Sequence, residues 1–143
     1  MIFTSVNYLS VLVAAVAAWL FGAVYYGALG KPWVAAQGKT MEQFKGEQAH
    51  KSGTVAGMAP FILAFVAALV MAFVLYGILT HMGRFTVRAG LISAAFCWFG
   101  FVLTTIAVNN AFSGRNAMLT VIDSGHWLGA LLVIGAVIGW WGG

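Results

Sequence analysis

Four stretches of this chain are apolar on every side, and its few charges fall between them. Lys31, Lys39, Glu42, Lys45, Glu47 and Lys51 form one group, Arg84 and Arg88 a second, Arg115 and Asp123 a third. The uncharged intervals cover residues 1–30, 52–83, 89–114 and 124–143, the last extended backwards by the apolar 117–122. Each supplies the roughly 20 apolar residues that a helix needs to cross about 30 Å of hydrocarbon. Val11 to Ala18 and Phe61 to Val70 lack the alternation of a transmembrane barrel strand. The pattern therefore predicts an all-α fold: one transmembrane domain over residues 1–143, an integral membrane four-helix bundle with helices over about 3–29, 54–80, 88–112 and 117–141. No Lys or Arg precedes the first apolar run, which exceeds the about 7–15 residues of a signal-peptide core, so it reads as a retained helix.

The connections near 80–87 and 113–116 are short, which makes consecutive helices antiparallel neighbours. The segment from Lys31 to Gly53 is the one sizeable connection. Pro32 is expected to end the first helix or to open the following turn. Thr40-Met41-Glu42-Gln43 has the spacing of a capping box, and Met41 with Phe44 gives a small apolar side. A short helix on the membrane interface and a solvated loop both fit this segment.

Composition points the same way. Hydrophobic residues make up 62% and charged residues 7% of the chain, whereas soluble domains carry about 25% charge. So few charges cannot cover a water-facing surface, which disfavours a soluble enzyme, a disordered chain and a nucleic-acid binder. The expected partner is the lipid bilayer, with no nucleic acid. The single cysteine, Cys97, provides neither a disulfide nor a thiolate metal site. No phosphate loop, CxxC, HExxH or serine-nucleophile motif occurs, so the expectation is a non-enzymatic protein without a cofactor.

Lipid tails are as apolar as leucine, so close backbone approach must join the helices. Gly125 with Gly129, Gly135 with Gly139, Ala14 with Ala18 and Gly22, and Gly90 with Ala94 all recur at four-residue spacing. Gly22, Gly125, Gly129, Gly135 and Gly139 are the candidate packing residues. The seam on the last helix serves either a homo-oligomer or packing within the chain. Tyr8, Tyr25, Tyr26, Trp33, Tyr76, Trp127, Trp140 and Trp141 fall near predicted helix ends and read mostly as interfacial anchors.

Asp123 is the ionisable residue inside a predicted span, where charge is expensive. His126, three residues on, shares its helical face. Arg115 lies at the entrance of the same helix, and Asn109 and Asn110 end the preceding one. Alternation of helix ends brings Tyr25, Tyr26 and His50 to this side, leaving Asn7 and His81 opposite. The candidate polar cluster is Arg115, Asp123, His126, Asn109, Asn110 and Tyr26. Asp123 with His126 reads either as a proton or cation site or as a structural pair that pins the third loop through Arg115. A metal site needs a third ligand, for which His50 is no more than a topological candidate.

Asn7-Tyr8, Gly22-Ala23-Val24-Tyr25-Tyr26, Gly30-Lys31-Pro32-Trp33, Phe112-Ser113-Gly114-Arg115, Ile122-Asp123-Ser124-Gly125-His126 and Gly135-Ala136-Val137-Ile138-Gly139-Trp140 occur in this order. Together they resemble the bacterial membrane proteins catalogued as domain of unknown function 1761. The resemblance spans nearly the whole chain and departs from the family pattern at Tyr25-Tyr26, where Trp-Tyr is usual. It implies a small four-helix membrane protein, supplies no activity, and draws attention to Arg115, Asp123 and His126.

Two functions follow as expectations. The first is a helix-packing interaction or accessory module, as a homo-oligomer or within a larger membrane complex of the bacterial inner membrane. The second is a transporter or channel for a small solute or ion that uses the cluster around Asp123. Loop one (Lys31, Lys39, Lys45, Lys51) and loop three (Arg115) lie on one side, and loop two (Arg84, Arg88) on the other with both termini. Positive residues favour the cytoplasm, which places loop one inside and both termini outside. An impermeant thiol reagent added from outside should label Gly83→Cys and spare Ser52→Cys; labelling at position 52 contradicts this orientation.

Overall fold

The computed structural model describes residues 2–143. After a 3-10 turn, Ile2–Ser5, come α1 (Tyr8–Ala36), α2 (Met41–Lys51), α3 (Val55–Met82) and α4 (Val87–Cys97). A π-helical turn, Trp98–Leu103, joins α4 to α5 (Thr104–Phe112), and α6 (Ala117–Trp141) follows. The π turn makes α4 and α5 one continuous span, Val87–Phe112, so the described residues form four helices long and apolar enough to cross a membrane. It is a multi-pass membrane protein by this measure. The wide ring of outward apolar side chains, among them Phe61, Leu63, Phe96, Phe101 and Phe112, suits hydrocarbon as a solvent.

Local signals set the ends of the helices. Thr40 accepts from the Gln43 amide at 3.1 Å while its own amide donates to Gln43 Oε1 at 3.0 Å, so the capping box forms and α2 is a helix. Gly83 and Gly114 take positive φ, of 62° and 65°, where the chain must reverse within a few residues. Pro32 does not end α1. The helix runs on to Ala36, with Pro32 inside it. Pro32 removes the amide that would bond the Ala28 carbonyl, but Ala28 is exposed near the end of the span, where water and headgroups replace that bond. Buried Val34 and the Trp33 side chain, described below, hold the added turn in place.

Helix α6 is the hub, touching α1, α3, α4, the π turn and α5. Helices α1 and α4 do not touch; they flank α6 on opposite sides. The core is narrow because its residues are small: Ala14, Ala15, Ala18, Ala68, Ala72, Ala94 and Ala130 are buried around Leu75, Leu79, Ile134 and Ile138. A Cβ at Gly135 would collide with the Gly90 backbone, and one at Gly139 with the Thr86 carbonyl. These glycines of α6 thus bring α4 within backbone contact. The seam faces inward, and its close approaches lie within one chain.

The fourth span parts from α3 halfway. Helix α3 touches α4 but neither the π turn nor α5. Thr104 Oγ1 donates to the Gly100 carbonyl at 2.9 Å, and Thr105 Oγ1 donates to that of Phe101. Such hydroxyls supply carbonyls in the π turn with a second donor, a pattern that accompanies bent helices. The bundle is therefore closed at the end bearing Asn7, Tyr76 and Trp141. There the Asn7 amide donates to Tyr76 Oη at 3.1 Å, and Asn7 Nδ2 donates to the Trp141 carbonyl at 2.8 Å. At the other end it is open between α3 and α5.

The close approach of α4 and α6 is testable. Gly135→Val should cost about 1–3 kcal/mol by overpacking and lower the unfolding temperature in detergent. Gly27→Ala, which meets nothing within 4 Å, should leave it unchanged or raise it; equal effects from the two contradict the seam.

Candidate functional site

Tyr26 and Trp33 stand seven residues apart on α1, two helical turns, and so project from the same face. That face meets the first half of α6. Tyr26 Oη donates to Asp123 Oδ1 at 2.6 Å, and Trp33 Nε1 donates to the same oxygen at 3.1 Å. Asp123 is the seventh residue of α6, about 10 Å along the axis from its start. One residue earlier, the Ile122 carbonyl accepts from Tyr25 Oη at 2.7 Å. Gly125 leaves room for that hydroxyl, since a Cβ there would lie 2.7 Å from it. Trp98, at the π turn, donates from Nε1 to the Ser124 carbonyl at 2.7 Å. Three successive residues of α6 are thus gripped by side chains from α1 and the fourth span.

His126 packs under this clasp. Its ring lies 5.0 Å from Tyr26, 4.7 Å from Trp127 and, stacked, 6.2 Å from Phe21, centre to centre. Gly22 makes space for it, because a Cβ there would come within 2.8 Å of Nε2. The Phe21 ring fills the space that Gly129 leaves on α6. Gly22, Gly125 and Gly129 therefore accommodate His126, Tyr25 and Phe21 in turn. The Nδ1 atom of His126 is buried and has no hydrogen-bond partner.

Beside these residues lies a cleft of about 530 Å³ between α3 and α5, within the range of about 300–1,000 Å³ usual for small-molecule sites. Tyr26, Asp123, His126 and Trp127 form one wall, Asn109, Asn110, Ser113 and Arg115 another, and Ala64 with Ile106 the apolar remainder. Asn110 is buried and donates from Nδ2 to Thr120 Oγ1 at 3.0 Å; Asn109 is exposed. All six residues of the predicted cluster come together here.

Two details of the expectation change. Asp123 makes no hydrogen bond to His126, and no ion pair joins Asp123 to Arg115; the ion pair among the described residues is Lys39–Glu47, at 2.7 Å beside α2. The anchoring charge is met instead by neutral donors of α1, since Tyr26 and Trp33 occupy Oδ1. His50 lies exposed on α2, away from the cleft, and no group of three His, Cys, Asp or Glu is placed to hold a metal ion among the described residues. Trp33, read as an anchor, is a partner of Asp123. Its seven-residue spacing from Tyr26 signals this once α1 continues through Pro32. Tyr25 and Trp98, which grip the backbone of α6, carry no such signal.

The family described as "Protein of unknown function (DUF1761)" matches residues 9–139. The chain belongs to that family. No curated protein and no solved structure matches it. The matched stretch contains Tyr26, Trp33, Asn109, Asn110, Arg115, Asp123 and His126, so the whole cleft lies within the family region.

Because Arg115 has no ion pair, Arg115→Ala should change stability by no more than about 0.5 kcal/mol. Trp33→Phe, which removes a hydrogen bond to a carboxylate, should cost about 1.5–3 kcal/mol. Thermal unfolding in one detergent compares them, and a larger loss for Arg115→Ala contradicts the assignment.

Proposed function

We propose that this protein is a non-enzymatic membrane module that binds a small polar ligand in the cleft around Asp123. One observation carries the reading: both α1 donors bond Asp123 through Oδ1, leaving Oδ2 without a protein partner in a residue that lines the cleft. An intramembrane carboxylate is expensive to keep, and one held by fixed donors on one side is prepared for a partner on the other. The cleft opens at the end bearing loops one and three, which the positive-inside rule assigns to the cytoplasmic face of the inner membrane.

The closed end argues for binding over conduction. Ala14, Ala72, Leu75, Leu79, Ile134 and Ile138 fill the bundle beyond the cleft, with Ser10 and Ser93 the buried polar residues on that side. A pathway needs polar groups or water along its full depth. An accessory role in a larger assembly is the second reading, supported by the facing surfaces of α3 and α5, which do not meet. A homo-oligomer built on the α6 glycines has less support, because those glycines already pack against α1 and α4.

Native mass spectrometry of protein extracted from its own membrane in mild detergent separates these readings. The expected result is a small adduct on the wild type that Asp123→Asn loses. A stoichiometric protein partner without any adduct favours the accessory role, and Asp123-dependent ion flux in liposomes contradicts the one-sided cleft.

A further inference from the structure

The cleft gathers hydrogen-bond acceptors that the protein itself does not use. Asp123 Oδ2 is one, since both of the donors to Asp123 bond Oδ1. Asn110 commits Nδ2 to Thr120, and its Oδ1 has no partner. His126 is only 8% exposed, and its buried Nδ1 is unpaired. All three residues line the same cleft, and Asp123 and His126 stand one turn apart on one face of α6. The Nδ1 orphan is closed off from the cleft, so the acceptors that the cleft offers an outside donor are Asp123 Oδ2 and Asn110 Oδ1.

Two acceptors and one negative charge complement a positively charged group with several N–H donors. We propose that the cleft binds a primary ammonium group, with Asp123 Oδ2 as counter-ion and Asn110 Oδ1 accepting a second hydrogen. This rests on the ligand-binding reading above and names the chemistry of its ligand. Tyr26 and Trp127 line the same cleft, and aromatic rings attract a cation lying over their faces.

Arg115 selects what carries the amine. Among the described residues it is the one cationic side chain lining the cleft, and it has no ion pair with any of them. A simple cation is repelled by it, whereas a molecule with an anionic end satisfies it. Arg115 lies before the start of α6 and Asp123 deeper, so the ammonium enters first and the anion stays at the rim. The ligand is thus a zwitterion, from either of two sources: a small soluble amino acid or the ethanolamine phosphate end of a lipid.

The test uses the full chain in nanodiscs whose lipid, phosphatidylcholine, carries no primary amine, with tryptophan fluorescence as the readout. Two pairs of probes are titrated: β-alanine against its N-trimethyl analogue, and glycerophosphoethanolamine against glycerophosphocholine. At least one primary amine should bind about tenfold or more tightly than its trimethylated counterpart, which has charge but no N–H donors. The pair that discriminates identifies the source. Asp123→Asn should abolish the preference, and Lys39→Ala, on the exposed loop, should retain it. Equal binding within both pairs in the wild type overturns the proposal whether or not the variant folds, as does a preference that survives in folded Asp123→Asn. If the Asp123-dependent adduct is found in the native protein while neither pair discriminates, the ammonium assignment falls alone. If the adduct is also missing, the binding reading falls with it.

Discussion

A single carboxylate about two turns inside a membrane helix sets the constraint that the rest of this structure answers. Asp123 needs donors, and hydrocarbon provides none. Tyr26 and Trp33 supply them from α1, both to Oδ1. These bonds fix the height and rotation of α1 against α6, because donors two turns apart must reach one oxygen. They also require α1 to continue through Pro32, since ending the helix there would remove Trp33 from the shared face. Tyr25 and Trp98 grip the carbonyls on either side of Asp123. The charge is therefore held by oriented neutral dipoles and rings, and its second oxygen remains available.

Small residues make that arrangement compact. The glycines of α6 divide two tasks along its length: near Asp123, Gly125 and Gly129 make room for Tyr25 and Phe21, and farther on Gly135 and Gly139 admit the backbone of α4. Apolar burial between lipid-bathed helices yields little, so such close approaches and the hydrogen bonds they permit carry much of the cohesion. The same economy produces the asymmetry of the bundle. Where α4 meets α6 through glycine, the fourth span stays near α3; beyond the π turn it leaves α3 and the cleft opens. Closed packing at one end and a polar recess at the other follow from one change of helical geometry.

The spans, the antiparallel order and the capping box at Thr40 were legible in the sequence, because each depends on local composition or on spacing within one turn. The side of the bundle on which Arg115, Asp123, His126, Asn109, Asn110 and Tyr26 gather was legible too, since helix ends alternate between membrane faces. The pairing inside that group was not. Sequence proximity suggested His126 and Arg115 as partners of Asp123, but the donors come from α1, about 90 residues away. Reading Pro32 as a terminus concealed Trp33, because the rule concerns the lost backbone bond and takes no account of what a distant side chain holds in place. The π turn at Trp98 likewise has no periodic signature, its hydropathy being that of any apolar helix.

A double-mutant cycle between Tyr26→Phe and Asp123→Asn, read as unfolding free energy in a single lipid or detergent, tests the central claim most directly. If Asp123 is held by α1, the two substitutions should be coupled by about 1–3 kcal/mol. Losses that add to within about 0.5 kcal/mol would contradict it, and would mean that this carboxylate is stabilised by something other than the helix beside it.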